Sequence, residues 1–280
     1  MEKVHYYSAE PNSKLSLKLV KSVLEGYVQG HYLGWRLFIN EFKSEWNKSL
    51  LGVFWNFGEP TVLAIVFIIL RKGQVINFGE NAPMSYSLYV IYGLLIFQAF
   101  FQSLTSPMGI VSEANQLLKQ TKIYPESLII QKVYHSIYQS VFKIIIIAAV
   151  SCWIGEASVL GFLGFVIVLI SLQMFCLFTG FLLAPINAIY TDVSQFVSNL
   201  SRPLLFITPI FYDTTKVPQL ESINKYNPLA IFLDSARTVG TGSFSGIDTS
   251  YYVICIVTFF LAITGSIFFH LSVPIVSDKG

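Results

Sequence analysis

Residues 159–184 read VLGFLGFVIVLISLQMFCLFTGFLLA and carry no charged side chain. A helix that crosses a bilayer needs about 20 mostly apolar residues, and this run meets that requirement. Lipid offers no partners to backbone N–H and C=O groups, so the segment must satisfy them itself, as a helix does. The stretch therefore predicts a membrane-spanning helix.

The composition of the whole 280-residue chain points the same way. Apolar residues make up 54% and charged residues 12%, whereas soluble domains carry about 25% charged residues. The mean hydropathy is +0.61. This composition disfavours a soluble enzyme and a disordered chain, and the net charge of +2 gives no reason to expect a nucleic-acid-binding face. We interpret the chain as an all-α, multi-pass membrane protein.

Six apolar stretches qualify as spans, or nearly so. They are residues 51–70, 87–112, 127–154, 159–184, 196–212 and 251–271. The fifth is short and contains Pro203 and Pro209, so a kinked or broken helix is expected. Pro107 and Pro185 are expected to disturb or end the second and fourth spans. The predicted organisation is an N-terminal region (1–50), a six-helix membrane domain (51–271) and a cytoplasmic tail (272–280).

The N-terminal region is amphipathic. Lysines recur at helical spacing before Gly30, and a second pattern follows Gly34, with aromatic and basic residues on different faces: Trp35, Phe38, Phe42 and Trp46 against Arg36, Lys43 and Lys48. Such a helix suits the membrane–water interface. An ordinary surface helix packed on the bundle is the alternative. The bilayer begins directly afterwards, which favours the interfacial interpretation.

The distribution of basic residues predicts the orientation. With a cytoplasmic N-terminus, the inward segments carry 10 Lys and Arg and the outward segments carry 5. Basic residues favour the cytoplasmic side, so both termini are predicted to be cytoplasmic.

Signatures of catalysis and metal binding are missing from the sequence. It has no Gly-x-x-x-x-Gly-Lys-Ser/Thr loop for ATP, its four histidines are scattered, and its three cysteines are far apart. No close carboxylate pair stands out in an apolar setting. We therefore expect no enzyme activity, no metal site and no cofactor in this chain.

Polar residues inside the predicted spans are the positive signal, because such groups are costly in lipid. Gln131, His135, Gln139 and Lys143 recur every fourth residue in the third span. They form either a polar seam against neighbouring helices or part of a water-filled path. Arg202, in the fifth span, is either an interfacial anchor or a guanidinium that faces a passage for an anionic substrate.

Two loops are distinctive. Residues 113–126 fit a short amphipathic helix stopped by Pro125, which suits contact with a soluble partner; a plain helical linker is the alternative. In the outward segment 213–244, a polar part precedes an apolar part that is too short to span. We expect re-entrant gate helices there, or else a loop on the outer leaflet.

Three motifs resemble the membrane subunits of bacterial ABC exporters of surface polysaccharides, the ABC-2 permease family. They are LGVFWNFGEP at 51–60, the loop 113–126 with its Lys119 to Pro125 ending, and TPIFY at 208–212, which is followed by Val217-Pro218 and Asn227-Pro228-Leu229. Glu59-Pro60, the start of the loop and Arg202-Pro203 are most similar to the capsular polysaccharide branch. The C-terminal PIVSD at 274–278 departs from the charged tail common in the family.

The resemblance implies a permease in the bacterial inner membrane that exports a lipid-linked polysaccharide, with a capsular polymer favoured. Two copies would form a homodimer, with a passage between the first and fifth spans of each. Two separate ATPase subunits would bind ATP and Mg and dock from the cytoplasm. The expected partners also include membrane lipids but no nucleic acid, and periplasmic or outer-membrane export proteins are left open.

The resemblance also suggests roles for individual residues. Coupling to the ATPase is expected at Glu113, Asn115, Gln116, Leu117, Leu118, Lys119, Lys122 and Tyr124. Candidates for the substrate channel are Phe54, Trp55, Phe57, Arg202, Phe206, Phe211 and Tyr212. Interfacial entry is assigned to Trp35, Arg36 and Trp46, and the outward gate to Asn227, Pro228, Leu229 and Phe232.

Other functions remain open at this point. An O-antigen or teichoic acid exporter of the same family is the nearest alternative. A small-molecule or lipid ABC-2 exporter fits the first span and the gate less well. A membrane enzyme or scaffold for glycan assembly would need the acid–base pair or metal cluster that the sequence lacks.

Overall fold

The computed structural model describes residues 17–48, 58, 61–62, 65–66, 69–70, 84–121, 123–212 and 218–279, and these residues contain no strand. The helices, in chain order, are α1 (Leu17–Lys48), α2 (Tyr86–Thr105), α3 (Ile110–Glu113), α4 (Asn115–Gln120), α5 (Glu126–Ile154), α6 (Val159–Ile189), α7 (Asp192–Ile207), α8 (Pro218–Asn224), α9 (Pro228–Gly240) and α10 (Thr249–Lys279).

Four of the described helices are long and apolar enough to cross a membrane. They are α2, α5, α6 and α10, the last over Thr249–Ile275. They match the predicted second, third, fourth and sixth spans, so the all-helical membrane interpretation is confirmed. Of the first predicted span, 51–70, only residues 58, 61–62, 65–66 and 69–70 are described, and these are helical. The total of six spans stays a prediction.

Prolines affect the helices in different ways. Helix α2 ends at Thr105, before Pro107, as expected. Helix α6 instead continues through the buried Pro185 to Ile189, because the packed neighbours hold its last turn although one backbone hydrogen bond is lost. Helix α7 ends at Ile207 and irregular backbone follows to residue 212, which is the break expected in the fifth span.

The core is arranged around α6. Phe165, Leu169 and Leu172 of α6 are fully buried in a cluster shared with α2 and α9. Near its other end, Phe181 packs in a second cluster with Phe269 of α10, their rings 5.2 Å apart. Helix α6 therefore connects α9 to the end of the bundle that carries the 113–126 loop.

Helix α1 is continuous where the sequence suggested two amphipathic patterns separated by glycines. Gly26, Gly30 and Gly34 are buried against the start of α5. A Cβ at Gly34 would lie 2.7 Å from the carbonyl oxygen of Ser127, and one at Gly30 would lie 3.1 Å from its backbone nitrogen. Spacing every fourth residue puts the three glycines on one face, so they allow close helix packing rather than ending the helix.

The C-terminal residues extend a helix. Helix α10 runs through Pro274 to Lys279, so the segment expected as a tail at 272–280 is helical to residue 279. Val273 is buried in the second cluster, and α10 contacts both α1 and α4. Helix α10 is thus packed in the bundle as far as Val273.

We predict that Gly34→Ala lowers the thermal midpoint of the detergent-solubilised protein. Alanine favours a helix over glycine by about 1 kcal/mol, so a glycine with free space would give the opposite sign. Steric conflict with the backbone of Ser127 should outweigh that gain by about 1–3 kcal/mol. Val28→Ala, on the exposed face of α1, is the control and should change stability little. A stabilised Gly34→Ala protein would contradict the close-packing interpretation.

Candidate functional site

The loop 113–126, which we call the coupling loop for its predicted role, contains a short helix, as predicted. Ala114 separates α3 from α4, and its carbonyl accepts a hydrogen bond from Leu118 N at 2.8 Å. At the other end, Thr121 Oγ1 donates to the carbonyl of Leu117 at 2.8 Å. Helix α4 therefore ends at Gln120, several residues before Pro125.

One side of this loop is anchored and the other is free. Leu118 and Ile123 pack against the second core cluster, which includes Phe269 and Val273 of α10. Lys119 is exposed. The arrangement presents a cation on a short helix whose apolar side is held by the bundle.

The other predicted coupling residues are distributed around α4. Glu113 is exposed just before it, Asn115 and Leu117 are half-buried, and the hydroxyl of Tyr124 donates to Gln29 Oε1 of α1. The side chain of Gln116, and Lys122 as a whole, lie outside the described residues.

A buried ammonium group links α1, α5 and the start of the coupling loop. Lys132 of α5 has a side chain only 4% exposed, and its Nζ lies 2.9 Å from Glu41 Oε1 of α1 and 3.5 Å from Glu113 Oε2. Gln131 Nε2 donates to the other oxygen of Glu41 at 2.9 Å. Since a buried charge must be paired to be tolerated, Lys132 holds the three elements together.

The two carboxylates of α1 near this cation have opposite pKa shifts. Burial tends to raise the pKa of Glu41, but the charge and hydrogen bonds of Lys132 and the amide of Gln131 outweigh it and hold that pKa below its usual value. The pKa of Glu45 is raised, first by burial and then by the neighbouring charge of Glu41. The site therefore favours the ionised form of Glu41 and disfavours the ionised form of Glu45.

Glu41, Glu45 and His135 also bring three possible metal ligands together. One ligand atom from each lies within 4.8 Å of the others. However, the Glu41 oxygen that bonds Lys132 also faces His135 Nδ1, at 3.9 Å. Lys132 already neutralises the Glu41 carboxylate, so this grouping fits an ion-pair network better than a metal site.

A second buried pair joins α5 to α10. His270 Nδ1 lies 2.6 Å from Glu126 Oε1, and the Glu126 side chain is fully buried. On α1, Ser22 Oγ lies 3.5 Å from His270 Nε2, and Tyr27 OH bonds Ser266 Oγ at 2.8 Å. Burial raises the pKa of Tyr27 to about 12, so its hydroxyl stays protonated. Polar contacts thus join α1, α5 and α10 near the coupling loop.

The polar face of α5 largely packs against neighbouring helices, which confirms the seam interpretation for most of it. Ser140 Oγ donates to Gln173 Oε1 of α6 at 2.7 Å, and Lys143 Nζ donates to Gln102 Oε1 of α2 at 2.8 Å. Ser136 Oγ lies 3.3 Å from Ser103 Oγ. These hydrogen bonds satisfy groups that lipid would leave without partners.

The predicted outward gate is two short helices, α8 and α9, and α9 is inserted between α2 and α6. Asn227 caps α9 by accepting from Leu229 N at 3.1 Å, and Pro228 follows at the first helical position, where its missing N–H costs nothing. Leu229 and Phe232 are fully buried. All four predicted gate residues therefore lie together at the start of α9.

Arg237, near the end of α9, fixes the irregular segment 208–212 that follows α7. Its guanidinium donates to the carbonyls of Pro209 at 2.7 Å and of Tyr89 and Ile210 at 3.0 Å each. It also lies 3.3 Å from the centre of the Tyr89 ring. The irregular segment is thereby held against both α2 and α9.

The structure separates the predicted channel residues. Arg202 and Phe206 are exposed on α7, whose described face has no buried residue. Phe211 is buried in the core of the subunit, and Tyr212 is half-buried with its hydroxyl on the carbonyl of Ile207 at 2.5 Å. The remaining candidates, Phe54, Trp55 and Phe57, lie outside the described residues. Only Arg202 and Phe206 are thus placed on a free surface of this chain.

The predicted entry residues line an aromatic seam between α1 and α5. Trp35 lies 5.0 Å from Tyr134 and Phe42 lies 5.1 Å from Tyr138, measured between ring centres. Trp35 and Trp46 remain about half exposed, and the Arg36 guanidinium is 6.0 Å from the ring of Tyr32. Helix α1 thus packs on the bundle and keeps indole surface exposed, and its place at the membrane interface stays a prediction.

Sequence reasoning missed the contacts that connect distant segments. The sequence patterns single out none of Glu41, Glu126, His270 and Arg237. The spacing of Gly26, Gly30 and Gly34 was the one local signal that predicts close packing of α1.

We predict opposite effects for two neutral substitutions at neighbouring carboxylates. At pH 7, Glu41→Gln should destabilise the detergent-solubilised protein by about 1–3 kcal/mol, because Lys132 loses its nearest anion. Glu45→Gln should leave the thermal midpoint unchanged or raise it. The folded pKa of Glu41 is lowered, so its stabilisation is present above the usual value of about 4.3 and is lost as the pH falls through the lowered value. Equal midpoints for the two variants at pH 7 would contradict this assignment.

Comparison with known proteins identifies several transport proteins that are similar to this chain in sequence. The chain is 25% identical to the O-antigen export system permease protein RfbA of Klebsiella pneumoniae, over 78% of this chain and 85% of the relative. It is 24% identical to the RfbA of Myxococcus xanthus, over 71% of this chain and 76% of that protein. It is also 24% identical to the polysialic acid transport protein KpsM of Escherichia coli, over 81% and 89%.

The family assignment covers most of the described bundle. The family model described as ABC-2 type transporter matches residues 32–240. This range begins within α1, includes the coupling loop and the irregular segment 208–212, and ends with α9. The chain belongs to the ABC-2 type transporter family.

Proposed function

We propose that this protein is the transmembrane permease subunit of an ATP-driven exporter that moves a lipid-linked polysaccharide across the bacterial inner membrane. The permease names of its relatives and the membership in the ABC-2 family support this proposal. ATP and Mg bind to separate ATPase subunits, since the sequence has no phosphate-binding loop of its own. The chain itself is not an enzyme.

The observation that carries the proposal is the geometry of α4. Its apolar side is anchored through Leu118, and Lys119 is exposed on the free side. In the proposed orientation, with both termini cytoplasmic, α4 faces the compartment that holds ATP. An ATPase that changes shape would push on α4 and thereby on the bundle.

Two routes carry that motion into the membrane part. Leu118 and Ile123 press on the cluster that contains Phe269 and Val273, so displacement of α4 reaches α10 through apolar contacts. Glu113 precedes α4 and pairs with Lys132, which in turn pairs with Glu41 of α1. Interfacial helix α1 and C-terminal helix α10 would therefore respond together.

A homodimer with a passage between the first and fifth spans suits the exposure of α7. The sixteen-residue helix Asp192–Ile207 has no buried residue in the described part of the chain, and it exposes Phe196, Leu200 and Phe206. A surface of this kind needs lipid, a second copy or substrate to cover it. We place Arg202 and Phe206 toward the passage.

A capsular polysaccharide is the substrate that we favour, on the sequence motifs that resemble that branch. An O-antigen is the second candidate, because RfbA permeases are among the relatives. The polysialic acid transporter KpsM supports the first. Both candidates are polymers of sugars, and both fit an exporter of the same build.

We predict that Lys119→Glu abolishes export, with an unchanged amount of folded permease. The reversed charge faces the docking surface of the ATPase, and a like-charge or unpaired contact there costs several kcal/mol. The measurement is mass spectrometry of chains that co-purify with the tagged permease from native membranes, together with the polysaccharide at the cell surface. A Walker-type ATPase in near-equal amount is expected with the unsubstituted protein and should be lost with Lys119→Glu.

Lys225→Glu is the matched control, because Lys225 is also exposed but follows α8 in the outward segment. It should leave co-purification and export intact. Normal export by Lys119→Glu would contradict the coupling assignment. Reproducible absence of an ATPase from the unsubstituted protein would contradict the whole proposal and favour a glycan-assembly protein.

A further prediction concerns the charge of the polymer. Arg202→Glu should reduce export of an acidic polymer by about tenfold, equivalent to 1.4 kcal/mol, and reduce export of a neutral polymer much less. The test uses two strains that build either polymer on the same lipid, and it compares the amount of surface polysaccharide with Arg202→Lys as the charge-conserving control. Equal losses for both polymers would show that Arg202 does not act through charge.

A further inference from the structure

A cleft of about 210 Å³, lined by several residues with polar side chains, lies between α2 and α5. It is far larger than the roughly 10–15 Å³ that one water molecule needs. Hydroxyl, amide and imidazole side chains form most of its lining, with one leucine of α6: the polar residues used below are Gln102, Ser103, Ser106, His135, Ser136 and Gln139. We call it the α2–α5 chamber.

The chamber lies between the end of α2 and the first half of α5. Gln102 and Ser103 belong to the last turn of α2, and Ser106 is its C-cap. His135 and Gln139 are about 14 and 20 Å along α5 from its start, at 1.5 Å per residue. Buried polar groups there must be satisfied by protein, water or a ligand.

Protein satisfies only part of this lining. Gln102 Oε1 accepts from Lys143 Nζ at 2.8 Å, and the hydroxyls of Ser103 and Ser136 lie 3.3 Å apart. In the described part of the chain, His135 Nδ1 and Gln139 Oε1 are buried and have no hydrogen-bond partner. The amide oxygen accepts hydrogen bonds, and the neutral imidazole accepts at one nitrogen.

These open positions define the chemistry of a suitable ligand. It must donate to Gln139, and it must match serine hydroxyls that both donate and accept. A ligand rich in hydroxyl groups does both. A carboxylate or phosphate offers acceptors only, and an ammonium would be repelled by Lys143, which is 3% exposed and bonds the chamber residue Gln102.

Aromatic surface next to the chamber favours a sugar among such ligands. The His135 and Tyr138 rings have centres 6.4 Å apart, and Tyr138 belongs to the aromatic seam with α1. That seam keeps about half of Trp46 exposed. The C–H faces of a sugar ring stack on aromatic faces while its hydroxyls bond amides and imidazoles, so seam and chamber together supply both kinds of contact.

We infer that the α2–α5 chamber binds one sugar residue of the glycan, with Gln139 hydrogen-bonded to its hydroxyl groups. The inference rests on the proposed export function for the source of the sugar. It places a recognition site inside each subunit, apart from the passage between the first and fifth spans. Glycan recognition would then be coupled to α1, because His135 Nδ1 is also 3.9 Å from Glu41 and from Glu45.

The test uses the full-length permease alone, reconstituted in lipid nanodiscs. Its cysteines are replaced as Cys152→Ser, Cys176→Ala and Cys255→Ala, and a reporter thiol is introduced by Ser106→Cys. The rate of mixed-disulfide formation with a small methanethiosulfonate reagent, which releases methanesulfinate, is measured with free glucose, N-acetylglucosamine, rhamnose or glucuronic acid. We expect the thiol to react and at least one of these sugars to slow the reaction severalfold.

Two matched variants make the result specific. Gln139→Leu in the reporter background should raise the half-protecting sugar concentration about tenfold, the loss expected for an unmade hydrogen bond. Ser112→Cys, an exposed hydroxyl of α3 outside the chamber, should react without protection. Thr105→Cys, also in the lining, is the second reporter if Ser106→Cys does not fold.

Reaction without protection by any of the four sugars would overturn the inference and leave a chamber that holds water only. A reporter that does not react in either position would overturn it as well, since the chamber would then be closed. Neither result bears on co-purification of an ATPase, which tests the export function separately. Protection in a permease that binds no ATPase would keep the sugar site and reject the export proposal.

Discussion

The buried ammonium of Lys132 is the interaction on which the arrangement of this protein most depends. An unpaired cation at this position would be costly, and both carboxylates that neutralise it come from other elements: Glu41 from α1 and Glu113 from the end of α3. The cation therefore has a stable place only when the N-terminal helix lies along α5 and the coupling loop closes beside it. The Glu126–His270 pair adds the same constraint for α10. Electrostatics fixes the position of surface elements here, while apolar packing around α6 forms the core.

Local sequence patterns predicted the elements of this fold well. Long apolar runs indicated α2, α5, α6 and α10 because lipid demands both length and apolar composition. The helix in the 113–126 loop and its stop before Pro125 followed from short-range rules on turns and prolines. These features are encoded within a few residues of each other, so one sequence suffices to predict them.

Contacts between distant segments were harder to predict. The continuity of α1 depends on how Gly30 and Gly34 meet Ser127, and the role of Arg237 depends on carbonyls of Tyr89 and Pro209. The glycine spacing indicates close packing but does not identify Ser127 as the partner, and the contacts of Arg237 leave no periodic trace in the sequence. The candidate channel residues lie in different environments for the same reason. Phe206 and Phe211 are five positions apart and equally apolar. Because the helix ends at Ile207, Phe206 lies on the surface and Phe211 lies in the core.

The hydrogen bonds of Arg237 also limit where related chains can differ in length. Because one guanidinium fixes the carbonyls of residues 89, 209 and 210, the connection from α7 to α9 has little freedom to change length near residue 210. The turn after α9 is under no such restraint: Gly242 adopts a left-handed conformation with φ of 83°, and residues 243–246 are exposed. Insertions, including epitope tags, should therefore be tolerated best in that turn. Homologues should thus differ most in length beyond residue 240 and least around the TPIFY segment.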